Sequence, residues 1–362
     1  MNSILAFIIV LGVLIVIHEL GHFITAKLAG IAVPRFSIGL GPRVWGVKLG
    51  ETEYVLSALP LGGYVKMAGM GEDEALEALE GGKSDLEVPP ERRFESKSVG
   101  VRSVVISAGV IMNFLFAVFA YSGIAYYQSW VPLIGSVVEG SPAEEAGLQA
   151  GDLITAVDGQ EVDMWSEFAS YVSQRPGEQV RLGVLRDDQE LELLSRIERV
   201  VTVVDSVSGD SLIHGQIGVY RDTISAGRAL GVGGSLVKGT QRTFELTWLI
   251  LRFVGRLITG AESARDIGGP ILIGQLSGQA ARAGVGYLIA FMAFLSVNLA
   301  VLNLLPIPIL DGGHLVFLAV EAIRGRALSL QTRARLSQVG FLLILAIMVW
   351  AITSDVLRAV GN

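Results

Sequence analysis

The feature that most constrains the fold of this chain is a set of four apolar segments, each long enough to cross a bilayer. A helix of about 20 residues spans the hydrocarbon core of a membrane. Hydrophobic residues make up 51% of the chain and charged residues 17%, a balance typical of membrane proteins. The sequence therefore predicts a polytopic α-helical membrane protein with four transmembrane helices, in the segments Ile4–Leu28, Val104–Tyr127, Val285–Leu305 and Leu336–Val356.

Two further features decide how these segments are interpreted. The first segment lacks a positively charged beginning and a small-residue cleavage site, so we expect it to be a retained span rather than a signal peptide. A fifth segment, Phe244–Ile258, has charged residues along one face of a helix and apolar residues along the opposite face. Because spanning would bury those charges, we expect this helix to lie at the interface or against the protein.

Basic residues predict the orientation. The connection between the last two spans contains four arginines against one glutamate, and such connections are cytoplasmic. Each span crosses the membrane once, so residues 30–100 are also predicted to be cytoplasmic. Residues 128–284 and both termini are then predicted to lie outside. The net charge of −7 leaves no basic surface for nucleic acid, and the absence of cysteine excludes a thiolate metal site.

These assignments divide the chain into eight parts. They are a first span (1–30), a cytoplasmic loop with a membrane-associated β-hairpin at about 43–67 and an acidic insert (31–100), a second span (101–128), an extracytoplasmic PDZ-like α+β domain (129–222), a linker with the amphipathic helix (223–284), a third span (285–311), an arginine-rich cytoplasmic loop (312–335) and a fourth span (336–358).

The first span contains a metal-binding pattern, His18-Glu19-Leu20-Gly21-His22. Histidines four residues apart lie on one helix face, so both imidazoles reach one ion. Zinc accepts neutral imidazole nitrogen, and a glutamate beside the first histidine is placed to take a proton from an activated water. Two core histidines and a stray glutamate are the alternative. Ionisable groups inside a membrane span are costly and mark functional sites, which favours the metal.

Asp311 is the predicted third ligand, in the segment that follows the third span. Two prolines, Pro306 and Pro308, break the helix there, and broken backbone at membrane depth is tolerated where it lines a wet cavity. A helix cap with an ordinary Asp-Gly turn is the alternative. Direction favours the ligand, because the first and third spans both run inward and place all three side chains at the same depth.

At these residues the chain resembles the site-2 protease family of intramembrane zinc metalloproteases, in particular its bacterial members. The resemblance covers nearly the whole chain and rests on the His-Glu-Leu-Gly-His helix, the segment Pro60–Met67, the stretch Phe94–Asn113 and the Asn-x-x-Pro-x-Pro-x-x-Asp-Gly-Gly block. It implies that His18, His22 and Asp311 bind zinc and that Glu19 activates water. It also implies that Asn303 engages the substrate backbone. His314 is interpreted as structural, and His214 as incidental in a polar loop.

Two regions outside the metal site bear on substrates. Residues 131–222 resemble a bacterial PDZ domain, which either binds a peptide C-terminus by strand addition or excludes intact ectodomains by size. Residues 43–67 alternate in the manner of β-strands on either side of Gly50-Glu51 and predict a hairpin. We expect one edge of this hairpin to pair with an unwound substrate. The edge consists of Tyr64, Val65, Lys66 and Met67. An ordinary soluble hairpin is the alternative.

The leading function is therefore an endopeptidase that cuts transmembrane segments of single-span proteins in the bacterial inner membrane. By resemblance, its substrates include anti-sigma factors and remnant signal peptides. A non-enzymatic PDZ scaffold and a divalent-metal transporter are the alternatives. Retention of Glu19 disfavours the scaffold, and the lack of internal repeats disfavours the transporter.

Overall fold

The computed structural model describes residues 2–70, 88–203, 211–222, 227, 229–262 and 268–360. Most of the predicted acidic insert lies outside these ranges. The chain forms two compact units, Met1–Tyr121 with Thr240–Asn362, and Ser122–Gly239.

The four predicted spans are helices of membrane-spanning length. They are α1 (Ser3–Leu28), α2 (Val99–Gln128), α7 (Val285–Leu304) and α9 (Leu330–Val360). Two clusters of buried apolar side chains join three of them. Val10 and Leu14 of α1 pack with Met292 of α7, while Ala117 of α2 packs with Val297 of α7. This packing holds α1, α2 and α7 together around the metal-binding pattern.

The hairpin beside α1 begins earlier than the sequence predicts. Its strands are β1 (Arg35–Leu49) and β2 (Thr52–Lys66), and its turn is at Gly50-Glu51 as predicted. Residues 35–38 of β1 lie between residues 53–56 and 63–66 of β2, so the pair folds back into a small sheet. Glu51 forms ion pairs with Lys27 at the end of α1 and with Arg92, which anchors the turn. Arg92 and Lys27 both donate hydrogen bonds to the Glu51 carboxylate and lower its pKa, and the hydrogen bond from Arg92 has the larger effect.

The second unit includes the residues predicted to form the PDZ-like domain. Its elements are β3 (Ile134–Val137), α3 (Pro142–Glu145), β4 (Leu153–Val157), β5 (Gln160–Glu161), α4 (Trp165–Ser173), β6 (Gln179–Arg186), β7 (Gln189–Arg196), β8 (Glu198–Val203), β9 (Ser211–Gln216) and β10 (Val219–Arg221). One sheet has the order β5-β4-β6-β7, while β10 pairs with β3 and β8 with β9. The core includes Ile134, Ile154, Phe168 and Leu182. His214 lies on β9, paired with Val200, so its predicted loop position is wrong.

Three more helices surround the spans. They are α5 (Val232–Ile258), α6 (Pro270–Ala283) and α8 (Asp311–Arg324). Within α5, Leu246 and Ile250 are buried against α2 and α7, whereas Phe244 and Trp248 are exposed. The predicted amphipathic helix therefore packs partly on the protein, and among the described helices α5 is not one of the four of membrane-spanning character.

Two of these helices correct the predicted linker and loop. The linker prediction contained only one helix, but α6 forms there and packs against α1, α7 and α9. The buried carboxylate of Asp355 on α9 accepts three backbone N–H groups at the start of α6, at 3.0–3.1 Å. The region predicted as an arginine-rich loop contains α8, whose last residue, Arg324, is followed by Gly325 in the left-handed conformation (φ 69°). That loop prediction counted charges and overlooked the apolar run at residues 315–318.

Candidate metal centre

His18, His22 and Asp311 come together as the sequence predicts. One potential ligand atom from each lies within 4.8 Å of the others. Nε2 of His18 is 3.2 Å from Oδ2 of Asp311, and Nε2 of His22 is 3.5 Å from the same oxygen. Both imidazoles are buried. Three donor atoms of the types that zinc prefers therefore face one point.

The two histidines are held in place by a close crossing of α1 and α2. A Cβ added to Gly109 of α2 would lie 2.3 Å from Nε2 of His22, and one added to Gly21 of α1 would lie 2.3 Å from the main-chain oxygen of Ala108. Only glycine fits at either position. The crossing also brings the main-chain oxygen of Val105 to 2.9 Å from Nδ1 of His22. Since Nδ1–H donates there, the lone pair of Nε2 is turned toward the shared point.

The irregular segment between α7 and α8 positions Asp311. The helix α7 ends at Leu304, and α8 begins at Asp311 itself. The turn is tight, because a Cβ on Gly313 would lie 2.4 Å from the main-chain oxygen of Ile307. Ile309 has φ 98°, a conformation in which a β-branched residue is strained. Strained backbone therefore sits two residues before the carboxylate ligand.

The chemistry of Asp311 fits a bound cation. Its Oδ2 is buried and accepts no hydrogen bond from the described residues. The side chain therefore presents a buried, unsatisfied oxygen beside two imidazole nitrogens. Such a set fits zinc, and burial of an uncompensated carboxylate is otherwise costly.

A cavity of about 320 Å³ opens next to these ligands. Glu19 lines it, and the carboxylate of Glu19 accepts a hydrogen bond from the backbone N–H of Val65 in β2. Asn303 and Ile309 also line the cavity. The cavity therefore brings the three candidate ligands, the carboxylate of Glu19 and an extended strand together in one space.

The structure places the remaining predicted residues as follows. Tyr64, Val65 and Met67 line the cavity, but Lys66 is not part of its lining. Met67 follows the end of β2 and is buried in an apolar cluster. His314 also lines the cavity and stacks edge-on against Phe317, and burial lowers its pKa.

Two residues near the site received no role from the sequence. Asn113, one helical turn after Gly109, is fully buried, and its amide lies 3.2 Å from Nδ1 of His18. The available signal was an amide at i+4 from a glycine within an apolar span. Arg102 forms a buried ion pair with Glu321, and these two residues are 219 positions apart. Sequence spacing carries no signal for that pair.

Comparisons with known proteins identify the family to which the chain is similar. The sequence profile of peptidase family M50 matches residues 6–347. The zinc metalloprotease RasP of Geobacillus kaustophilus is 31% identical, over 98% of this chain and 98% of that protein. The regulator of sigma-E protease RseP of Escherichia coli is also 31% identical, with the same coverage of both chains. Among solved structures, the PDZ domain of the SdrC-like protein Lin2157 from Listeria innocua is 26% identical, with a TM-score of 0.20; the alignment covers 27% of this chain and 99% of that domain.

Proposed function

This chain belongs to peptidase family M50 and is an intramembrane zinc metalloprotease, and we propose that His18, His22 and Asp311 hold its zinc ion. The convergence of the three donor atoms within 4.8 Å carries this assignment. The family match disfavours both the scaffold and the transporter. A bound zinc ion would supply a Lewis acid that acidifies water and polarises a peptide carbonyl.

Glu19 is the general base in this proposal. It lies on α1 beside the first ligand and lines the same cavity. The backbone N–H of Val65 orients its carboxylate. From this position Glu19 takes a proton from the attacking water and later delivers it to the leaving amine.

The test uses the full chain in detergent and a single-span membrane substrate, with zinc content measured for every variant. Glu19→Gln is expected to retain about one zinc per chain and to lose about 10²–10⁴-fold in cleavage rate. Asp311→Ala is expected to lose zinc, whereas His314→Gln, a change in the same cavity wall, retains it. Undiminished cleavage by Glu19→Gln, or stoichiometric zinc in Asp311→Ala, would contradict the assignments.

The strand edge at Tyr64–Met67 is proposed to hold the unwound substrate, together with the amide of Asn303. Tyr64, Val65 and Asn303 line the cavity beside Glu19, and a strand offers a substrate the hydrogen bonds that its unwound helix has lost. Lys66 and Met67 belong to the same proposed edge segment. The substrates proposed are single-span membrane proteins of the anti-sigma-factor type and remnant signal peptides. The name of the Escherichia coli relative, regulator of sigma-E protease, supports the former.

Substrate capture in the Glu19→Gln background tests this edge without relying on catalysis. Val65→Pro removes the backbone N–H and is expected to lower capture at least about tenfold, while zinc is retained. Val65→Ala keeps the N–H and serves as the matched control. Equal capture by the two variants would remove the edge from substrate binding.

Localisation in the bacterial inner membrane, with the metal site near the cytoplasmic face and the PDZ-like domain outside, completes the proposal. The ion pair between Arg102 and Glu321 supports it, because it joins the start of α2 to α8. Arg333 at the start of α9 lies 3.7 Å from the same glutamate. Both basic connections therefore meet at one end of the helices, which the positive-inside rule assigns to the cytoplasm. Binding of a peptide C-terminus by the PDZ-like domain is proposed on its fold alone.

A further inference from the structure

The second ring nitrogen of His18 faces a residue that has no role in the proposed function. Its Nδ1 lies 3.2 Å from the side-chain amide of Asn113, and Asn113 is fully buried. The equivalent nitrogen of His22 lies 2.9 Å from the main-chain oxygen of Val105. Each metal-facing imidazole therefore has one dedicated partner on α2.

The position of the imidazole proton decides what Asn113 does. A neutral imidazole has one N–H, so a lone pair on Nε2 requires the proton on Nδ1. Nε2 of His18 points at the shared site, 3.2 Å from Oδ2 of Asp311. Nδ1–H of His18 consequently needs an acceptor, as Nδ1–H of His22 already has in the oxygen of Val105.

The two orientations of the Asn113 amide have opposite consequences. In the structure Nδ2 of Asn113 faces Nδ1 of His18 at 3.2 Å; in that orientation the amide donates to Nδ1, and the imidazole proton is on Nε2, where it prevents Nε2 from binding a metal. In that orientation Oδ1 is also buried with no hydrogen-bond partner among the described residues. If the amide is rotated by 180°, Oδ1 accepts from Nδ1–H, and Nε2 is left with its lone pair. The two ends of an amide have nearly the same shape, so the hydrogen-bond network decides between them.

We infer that Asn113 is a positioning residue whose Oδ1 accepts the Nδ1–H of His18 and thereby selects the tautomer that binds the metal. This inference rests on the metal site of the proposed function. Asn113 acts only through His18, and its amide fixes both the tautomer and the plane of the ring. Partners of this kind support metal affinity in other metal sites.

A structural role for Asn113 in helix packing is the competing interpretation, and a pair of substitutions separates the two. Asn113→Leu keeps the approximate volume and removes the acceptor. Asn113→Asp keeps an acceptor oxygen and cannot donate when ionised. Packing alone tolerates leucine at least as well as a buried carboxylate, whereas the positioning role requires the oxygen.

The measurement is zinc affinity of the full chain in detergent, by competition with a chelator, with thermal unfolding followed in parallel. Asn113→Leu is expected to weaken zinc binding about 10–100-fold, and Asn113→Asp to stay within about threefold of the wild type. Asn113→Ala removes the same acceptor with less bulk and replaces the leucine variant if that variant does not fold. Ser296→Ala is the matched control, because Oγ of Ser296 donates to the main-chain oxygen of Asn113 at 2.9 Å without touching the imidazole.

Three outcomes would overturn the inference. Wild-type affinity in Asn113→Leu or Asn113→Ala would show that no acceptor is needed at Nδ1. Equal weakening in the aspartate and leucine variants would show that only packing matters. Absence of zinc from the wild-type protein would overturn the metal site as well, which distinguishes failure of the proposed function from failure of the Asn113 assignment alone.

Discussion

Replacement of Gly109 by alanine gives the strongest test of the α1–α2 crossing. The added Cβ would lie 2.3 Å from Nε2 of His22 and 2.7 Å from Cε1 of His18. Ordinary contact begins at 3.4 Å, so the His22 nitrogen must retreat by about 1.1 Å. The imidazole cannot simply swing away, because its Nδ1 is held by the oxygen of Val105 at 2.9 Å.

This displacement is large compared with the tolerance of a metal site. Metal–ligand distances are kept to within about 0.2 Å, so a shift of about 1.1 Å removes one imidazole from the ion. If the helices separate instead, overpacking costs about 1–3 kcal/mol of unfolding free energy. We therefore expect Gly109→Ala to weaken zinc binding at least about tenfold, or to lower the melting temperature, or both.

The assay is chelator competition for zinc on the purified protein, with thermal unfolding of the same samples. Gly12→Ala on α1 is the control, because no described atom lies within 4 Å of its added Cβ. Alanine also favours a helix over glycine, so this control is expected to keep both its zinc affinity and its stability. Wild-type zinc affinity together with wild-type stability in Gly109→Ala would refute the close crossing.

Three further predictions concern stability. Asp355→Ala removes the acceptor of three buried N–H groups at the start of α6 and should lower the unfolding free energy by about 1–3 kcal/mol, measured by denaturant titration. Hydrogen bonds from Arg102 lower the pKa of Glu321 from 4.5, so this pair should stabilise the fold above about pH 4.5 and lose that contribution as pH falls through the lower folded pKa. Glu321→Gln should flatten this part of the pH–stability curve, and an unchanged curve would rule the pair out. Ile309→Gly should relieve the strain at φ 98° and lower stability less than Ile307→Gly, in parallel thermal melts.

The sequence predicted the membrane helices and the placement of two histidines on one helix face because both signals are local. Apolar length identifies a span without reference to other residues, and the i, i+4 spacing of His18 and His22 places them on one face of any helix. Asp311 required one further argument, the shared direction of two spans, and the structure places it 3.2 Å from His18. The predicted start of the hairpin was less accurate. Strand β1 begins at Arg35, because residues 35–38 fold back beside β2, and the alternation of residues does not indicate such a fold-back.

The contacts that the sequence did not predict join residues far apart in the chain. Asn113 meets His18 across 95 positions, and the start of α6 meets Asp355 across more than 80. The sequence contains many donors and acceptors that could pair with a given amide or carboxylate, and they are chemically equivalent. Only the packing of the helices decides which of them becomes the partner of the buried group. The sequence by itself determined that this chain spans a membrane and carries two histidines and a glutamate on one helix. Only the tertiary structure decided which groups hold those histidines, because their spacing, tautomers and access to the cavity depend on how closely α2 approaches α1.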